Sequence, residues 1–436
     1  MKCLVTGLCL SQNLGGAAMA LTLVDQVKKR LPDAEFIFAI DPASFDQEKK
    51  WGDYYGLRIV RGDNCVSYFF NTNTLLRVVR FLYRKIMRKP ISLKSNRDFK
   101  QLHKEFMQCY QDCDLNISMR GISYIGDGTR GRFEGLFSYS DLYYAKRNKR
   151  PFAHFVQSFG PFNDWKVRYF ARKDFAHVDF IPARGKESAK HCQEIVACPD
   201  KVYNFPDIAI LLPFAEDTWT LEYLHHLGIR EGQYTILSPS SVIYHLPPNV
   251  GGSTGEKHIE SFYLIARDLL SRGENILFLA HMYSDDKRRC DREISRKVIQ
   301  CLKKDGHDIS RCKIVEEDLN PWQAKSLIAK SKLIVASRYH AIVAAVSTST
   351  PVIALGWNVK YRDILDYYGI PSMAIDVREK SPEEIRNLVF DKFKEYQEKD
   401  YKGLLKERHG ENIEKVGPAF NLLTEWIKNN VKAPRN

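Results

Sequence analysis

Short apolar runs alternate with amphipathic stretches along almost the whole chain. "KCLVTGLCL", "EFIFAI", "DLNISM", "PFAHFVQSF" and "VDFIPA" have the length and composition of buried strands, and segments of helical spacing separate them. A second series repeats the alternation: "YTILSPS", "NILFLAHM", "KIVEED", "KLIVAS", "PVIALGW" and "SMAIDV". Strands alternating with helices predict an α/β protein with parallel sheets, and two series predict two Rossmann-like domains facing a cleft. The stretch "PFAEDTWTLEYLHHLGIREGQ" between them is polar and suits a linker. The expected organisation is a first domain over residues 1–212, a linker over 213–233, a second domain over 234–380 and a helical segment over 381–436. Ser381-Pro382-Glu383-Glu384 marks the start of that last segment, with an N-cap serine, a proline at the first helical position and a capping-box glutamate.

A chain of 436 residues exceeds one ordinary core, which agrees with two domains. Its net charge of +13 implies an anionic partner. Ten cysteines without a CxxC pair read as reduced thiols, and no Asp/Glu/His cluster has metal-ligand spacing, so neither metal nor cofactor is expected. The first residues, "MKCLVTGLCLSQNLGGAAMALTLV", have an apolar run, but Ser11-Gln12-Asn13 interrupts it and a helical pattern follows. They read as a first strand, loop and helix rather than a signal peptide. No stretch approaches a membrane span. The expected location is the cytoplasm, free or peripheral on the inner face of the membrane. The segment 77–97 interleaves Arg77, Arg80, Arg84, Lys85, Arg88 and Lys89 with apolar residues, a pattern suited to lying on an anionic membrane surface or to a solvated basic face. No nucleic-acid-binding motif accompanies the charge.

Candidate chemistry collects where strands end. In "KLIVASRYHAIVAAVS" an apolar strand turns into an apolar helix through Arg338 and His340, and Lys360 follows the next strand. Ligands of open α/β sheets bind at the carboxyl ends of strands, and helix N-termini favour anions. Arg338 supplies a planar fork for carboxylate or phosphate, and His340 a group that exchanges a proton near neutral pH. Arg184 ends another strand, "IPAR", and His281 another, "LFLAH".

These motifs resemble, in order, those of the polysaccharide pyruvyl transferase family. The second half matches through Arg338, His340, Ala341, Ala344, the Pro351–Ala354 strand and Lys360. In the first half, "SQNLGGAAM" is similar to the opening loop and includes Asn13 and Gly15. "SMRGISYIGDG" is similar to a glycine-rich loop, with Arg120 and Asp127. "QSFGPF" matches Q-x-x-G-P through Gln157, Gly160 and Pro161, with Ser158 beside them, while "PARGKES" matches R-D-x-x-S through Arg184 and Ser188. "PDIAILL" matches at Asp207. Gly16, Arg120 and Gly185 depart from the family's usual Asp, Gly and Asp.

The resemblance implies a fold like that of the GT-B glycosyltransferases. It also implies transfer of a pyruvyl group from phosphoenolpyruvate to sugar hydroxyls, giving a cyclic ketal and phosphate. Phosphoenolpyruvate is then a co-substrate, and the acceptor a sugar or lipid-linked oligosaccharide. His340 is the expected catalytic acid, with Arg338, Lys360 and Arg184 on the donor. Asn13, Gly15, Arg120, Asp127, Gln157, Ser158 and His281 are expected to line the acceptor side or the cleft. Two alternatives stand beside this reading. One is a nucleotide-sugar glycosyltransferase, with Glu316 and Glu317 as candidate ribose ligands. The other is a non-catalytic glycan- or membrane-binding protein.

Overall fold

Continuous apolar runs form the centres of two separate parallel sheets. The computed structural model describes residues 1–11, 13–42, 44–62, 96–128, 133–246 and 255–431. The basic segment expected at 77–97 lies outside the described residues, apart from the backbone of its last two positions.

The first domain contains β1 (Lys2–Thr6), β2 (Glu35–Ile40), β3 (Arg58–Arg61), β4 (Leu115–Ser118), β5 (Ile122–Ser123), β6 (Phe152–His154), β7 (Ser158–Phe159), β8 (Ile181–Arg184) and β9 (Val202–Phe205). Its main sheet has the order β3-β2-β1-β4-β6, all parallel, with Cys3 opposite both Phe36 and Leu115. Two short parallel pairs, β5–β7 and β8–β9, continue the layer, linked by a bridge between Gln157 and Ala183. The run "PFAHFVQSF", expected as one strand, is two. Val156 sits at φ 24°, outside the extended region, and the chain breaks there between β6 and β7. The run "VDFIPA" belongs to the β8–β9 pair rather than to the main sheet. Strands β3 and β9 escape a search for apolar runs because each carries polar residues on exposed backbone.

The second domain contains β10 (Tyr234–Ser238), β11 (Asn275–Phe278), β12 (Cys312–Ile314), β13 (Leu333–Ala336), β14 (Val352–Gly356) and β15 (Ala374–Asp376). They form one parallel sheet of order β12-β11-β10-β13-β14-β15. Strands β10, β13 and β14 are buried at every position, as apolar runs covered on both faces require.

The polar stretch 213–233 carries a helix, Asp217–His226. It is tied to the second domain: Ser326 donates to the Ala215 carbonyl at 3.0 Å, and Lys330 pairs with Asp217 (3.1 Å) and Glu231 (3.0 Å). At the other end, the capping box forms, with Ser381 and Glu384 each bonded to the other's backbone N–H. Helix Tyr401–Asn430 then runs back to the first domain. Phe420 packs tilted against Phe155, with centroids 5.1 Å apart, and the Trp426 indole donates to Asp179 at 2.7 Å. One apolar cluster therefore runs from one face of the first sheet, through helix Leu14–Lys28, into the second domain, while a separate cluster fills the other side of the first sheet.

This return helix closes the two domains on each other. Phe420→Ala, at a fully buried position, should lower the unfolding free energy by about 3–5 kcal/mol. Ile413→Ala, on the helix's exposed side, should cost less than about 1 kcal/mol. Urea denaturation of the two variants checks the contrast.

Candidate active site

In the second sheet, the strand order changes direction between β10 and β13, the switch point where α/β sheets place ligands. The loops leaving β10, β11, β13 and β14 bring Ser241, His281, Arg338 and Lys360 to this edge. Arg338 caps helix Tyr339–Ser347, and Lys360 opens helix Lys360–Tyr367.

The fork of Arg338 holds the protein's own Asp291. Nε donates to Oδ2 at 2.7 Å and Nη2 to Oδ1 at 2.5 Å, and Nη2 also donates to Ser241 Oγ at 2.9 Å. Asp291 is completely buried. The guanidinium is thus fixed in plane, and its Nη1 makes no hydrogen bond among the described residues. The Lys360 ammonium lies over the rings of Tyr339 (5.4 Å), Tyr361 (5.5 Å) and Trp357 (5.7 Å), where the aromatic faces favour a cation.

His340 stands at the junction of the domains. Its Nε2 is 3.6 Å from Asp207 Oδ2, too long for a hydrogen bond, and has no other partner among the described residues. Burial holds the imidazole below its ordinary pKa, and the neighbouring Asp207 opposes that shift. The ring lies directly on Gly15, where an added Cβ would come within 1.9 Å of its Cγ and Nδ1. Asn13 caps helix Leu14–Lys28 by accepting from Gly15 N–H, and its backbone bridges to Met282 of the second domain. The N-terminal turn of this helix is therefore pinned beside the histidine.

Arg184 lies behind His340 rather than open to the cleft. It is buried, with Nη1 on Asp207 Oδ2 at 2.6 Å, Nε on Ser158 Oγ at 3.2 Å and Nη2 on the Gly121 carbonyl. Its guanidinium stacks 4.5 Å from the Tyr339 ring. Asp207 is kept far below the usual carboxylate range: Arg184 is the largest influence lowering it, and burial works the other way.

The other expected residues divide into two groups. Arg120 is bidentate to Asp141, at 2.9 Å for both bonds, and its backbone N–H donates to Gln157 Oε1 at 2.7 Å. Gln157 is buried and bonded to His154, so it shapes the loop and does not face a ligand. Asp127 is half-buried and close enough to Arg378 of the second domain to raise that guanidinium's pKa. By contrast, His281 joins His340: the two line one small cavity between the domains with Leu14, Gly15, Ala18 and Lys325. Glu316 and Glu317 follow edge strand β12, three strands from β13, where they engage Arg296 and the Tyr223 hydroxyl.

Sequence reasoning missed Asp291, Ser241, His258 and Lys325. Asp291 is hidden in the charged run "DDKRRCDRE", and Lys325 occupies a core position of helix Pro321–Ala329. The Lys325 ammonium donates to the carbonyls of Ile210 (3.4 Å) and Leu212, and burial pushes its pKa down to about 7. Burial likewise pushes His258 and His281 down to about 3, helped by Arg338 at both and, more strongly, by His340 at His281.

Two parallel α/β domains with a cationic edge at the cleft define the GT-B-like class. Solved structures of this shape include the UDP-GlcNAc 2-epimerase from Neisseria meningitidis bound to UDP-GlcNAc, with a TM-score of 0.59 and 14% identity, covering 98% of this chain and 100% of that one. Anabaena Alr3699/HepE in complex with UDP-glucose has a TM-score of 0.56 and 12% identity, covering 98% and 99%. At such identities the likeness is one of fold. The family model for polysaccharide pyruvyl transferase matches residues 13–359, and the chain belongs to that family. Amylovoran biosynthesis protein AmsJ from Erwinia amylovora is 22% identical over 390 residues, covering 87% of this chain and 88% of that protein. Family membership makes this chain a transferase of polysaccharide modification.

Two outcomes follow from the geometry. Gly15→Ala should displace the His340 ring and destabilise the fold by about 1–3 kcal/mol. Combining it with His340→Ala should recover much of that loss, a coupling visible in a denaturation double-mutant cycle. The buried bases give a pH profile. Between about pH 3 and 6.5 the unfolded chain binds protons that native His258 and His281 do not, so stability should rise with pH. Between about pH 7 and 10 Lys325 should add a second rise for the same reason. His281→Asn should flatten the first rise and Lys325→Met the second, as measured by urea denaturation across pH.

Proposed function

We propose that this protein transfers the pyruvyl group of phosphoenolpyruvate to two hydroxyls of a sugar in a glycan or glycan precursor. The supporting observation is the arrangement at one sheet edge: an immobilised guanidinium with an open Nη1, an ammonium in an aromatic frame, and a histidine in the first turn of the helix that the arginine precedes. A small donor bearing a carboxylate and a phosphate needs such paired cations. The amylovoran relative fits a polysaccharide acceptor.

In this reading Arg338 and Lys360 hold the donor's anionic groups. His340 protonates the methylene carbon C3, which makes C2 electrophilic. One sugar hydroxyl attacks C2, the C–O bond to phosphate breaks, and the second hydroxyl closes the ketal. Of the two hydroxyl protons, one balances that placed on the new methyl group and the other leaves with phosphate. His340 is neutral at neutral pH in the free protein because burial lowers its pKa. The donor's negative charge raises that pKa and recruits the proton when it is needed. Arg184 acts behind the histidine, through Asp207 and Tyr339.

Phosphate release from phosphoenolpyruvate across a panel of sugar acceptors tests the reaction. His340→Gln should lower kcat about 100- to 10,000-fold, while Arg338→Ala and Lys360→Ala should chiefly raise KM for the donor. The acid must be protonated, so rates fall above its pKa. The descending limb of kcat should therefore lie at higher pH than that of kcat/KM. Near-normal turnover by His340→Gln would leave that residue a positioning role only.

A further inference from the structure

We infer that the outer face of helix Trp165–Phe175, joined by that of helix Glu134–Arg147, docks on an anionic lipid bilayer. Helix Trp165–Phe175 turns Val167, Ala171, Asp174 and Phe175 inward. Its exposed residues are Trp165, Lys166, Arg168, Tyr169, Arg172 and Lys173: two aromatics, four cations and no carboxylate. Trp165 is 72% exposed and Tyr169 54%, and their i,i+4 spacing puts them on one side. Asp164, the adjacent exposed acid, is occupied as the N-cap, accepting from Lys166 and Val167 N–H.

The neighbouring helix extends the surface. Gly135 lets the two helices approach closely, since a Cβ there would lie 3.0 Å from Val167 Cα. Lys173 lies over Tyr139 of one helix and Tyr169 of the other. Beyond this contact Tyr143, Lys146 and Arg147 are exposed. The combined face carries large aromatic rings among cations.

Charge complementarity selects the occupant. Clustered cations attract anionic headgroups, and Trp and Tyr rings settle at the boundary between headgroups and acyl chains. No described helix is long and apolar enough to cross a membrane, so association would be peripheral. The surface lies on the first domain and is independent of the cleft chemistry.

The full-length protein should sediment with phosphatidylcholine vesicles containing phosphatidylglycerol, weakly with phosphatidylcholine alone, and less as salt rises. Replacing Lys166, Arg168, Arg172 and Lys173 together by Gln should weaken binding at least tenfold, since each cation near the surface contributes about fivefold. A second readout rests on one residue: brominated lipid should quench tryptophan fluorescence in the wild type and much less in Trp165→Phe. The inference is overturned if the fourfold variant, folded by its thermal transition, sediments like the wild type, because other basic segments then carry the binding. It is equally overturned if the protein binds an acidic polysaccharide through these residues but no vesicle, or if Trp165→Phe leaves the quenching unchanged.

Discussion

The buried pair between Arg184 and Asp207 is the constraint around which the two domains are arranged. Two charges removed from water are tolerable only when each has a close partner and its remaining hydrogen bonds are met. Arg184 meets this through Asp207, Ser158 and the Gly121 carbonyl, and Asp207 also caps the turn Ile208–Leu211 by accepting from Ala209 N–H at 2.8 Å. The pair thus fixes the end of β8 and the exit from β9, where the chain leaves the first domain. From the second domain, Tyr339 covers the guanidinium and His340 approaches the carboxylate. Breaking such a pair typically costs about 3–5 kcal/mol, so domain closure and the position of His340 depend on the same contact.

A second carboxylate organises the cationic edge. Asp291 pairs with Arg338 through two hydrogen bonds and holds the guanidinium in one plane. Lys360 has aromatic faces around it, which favour its charge without competing as strongly for an anion. The two cations therefore sit in different settings, one in a hydrogen-bonded fork and one among aromatic rings. Burial keeps the His340 pKa below its ordinary value, and Lys360 and Arg184 act in the same direction while Asp207 opposes them.

The placement of Arg338, His340 and Lys360 at the ends of β13 and β14 was legible because each stands where an apolar strand gives way to a helix. The central strands β10, β13 and β14 of the second sheet were equally legible as buried, largely apolar runs. What the sequence concealed is contact across long separations. Asp291 lies in a run of charges whose alternation gives no sign that one carboxylate is fully buried. Arg184 has the spacing of a ligand-binding arginine, and only the fold shows that Asp207 occupies it. Helix Tyr401–Asn430 reads as a charged tail because its buried residues, among them Leu405, Val416, Phe420 and Trp426, are diluted over thirty positions. Its role in binding the first domain appears only when Phe155 and Asp179 are placed beside it.

After the strand-end arginine of β8 stands Gly185, at φ 97°. An added Cβ would come within 2.4 Å of Asp363 Oδ2, so a carboxylate from the second domain fills the space at the start of helix Lys186–Gln193. The Glu187 backbone N–H favours its ionised form, whereas burial dominates and pushes the carboxyl up to about 7. Lys186 reinforces the contact by pairing with Asp366 at 2.5 Å, one turn further along the same helix as Asp363. A helix N-terminus of the first domain is thus served by an acid from the second rather than by its own N-cap. Because Asp363 also lies one turn from Lys360, any movement that separates the domains removes that helix's acidic partner and shifts the cationic edge together.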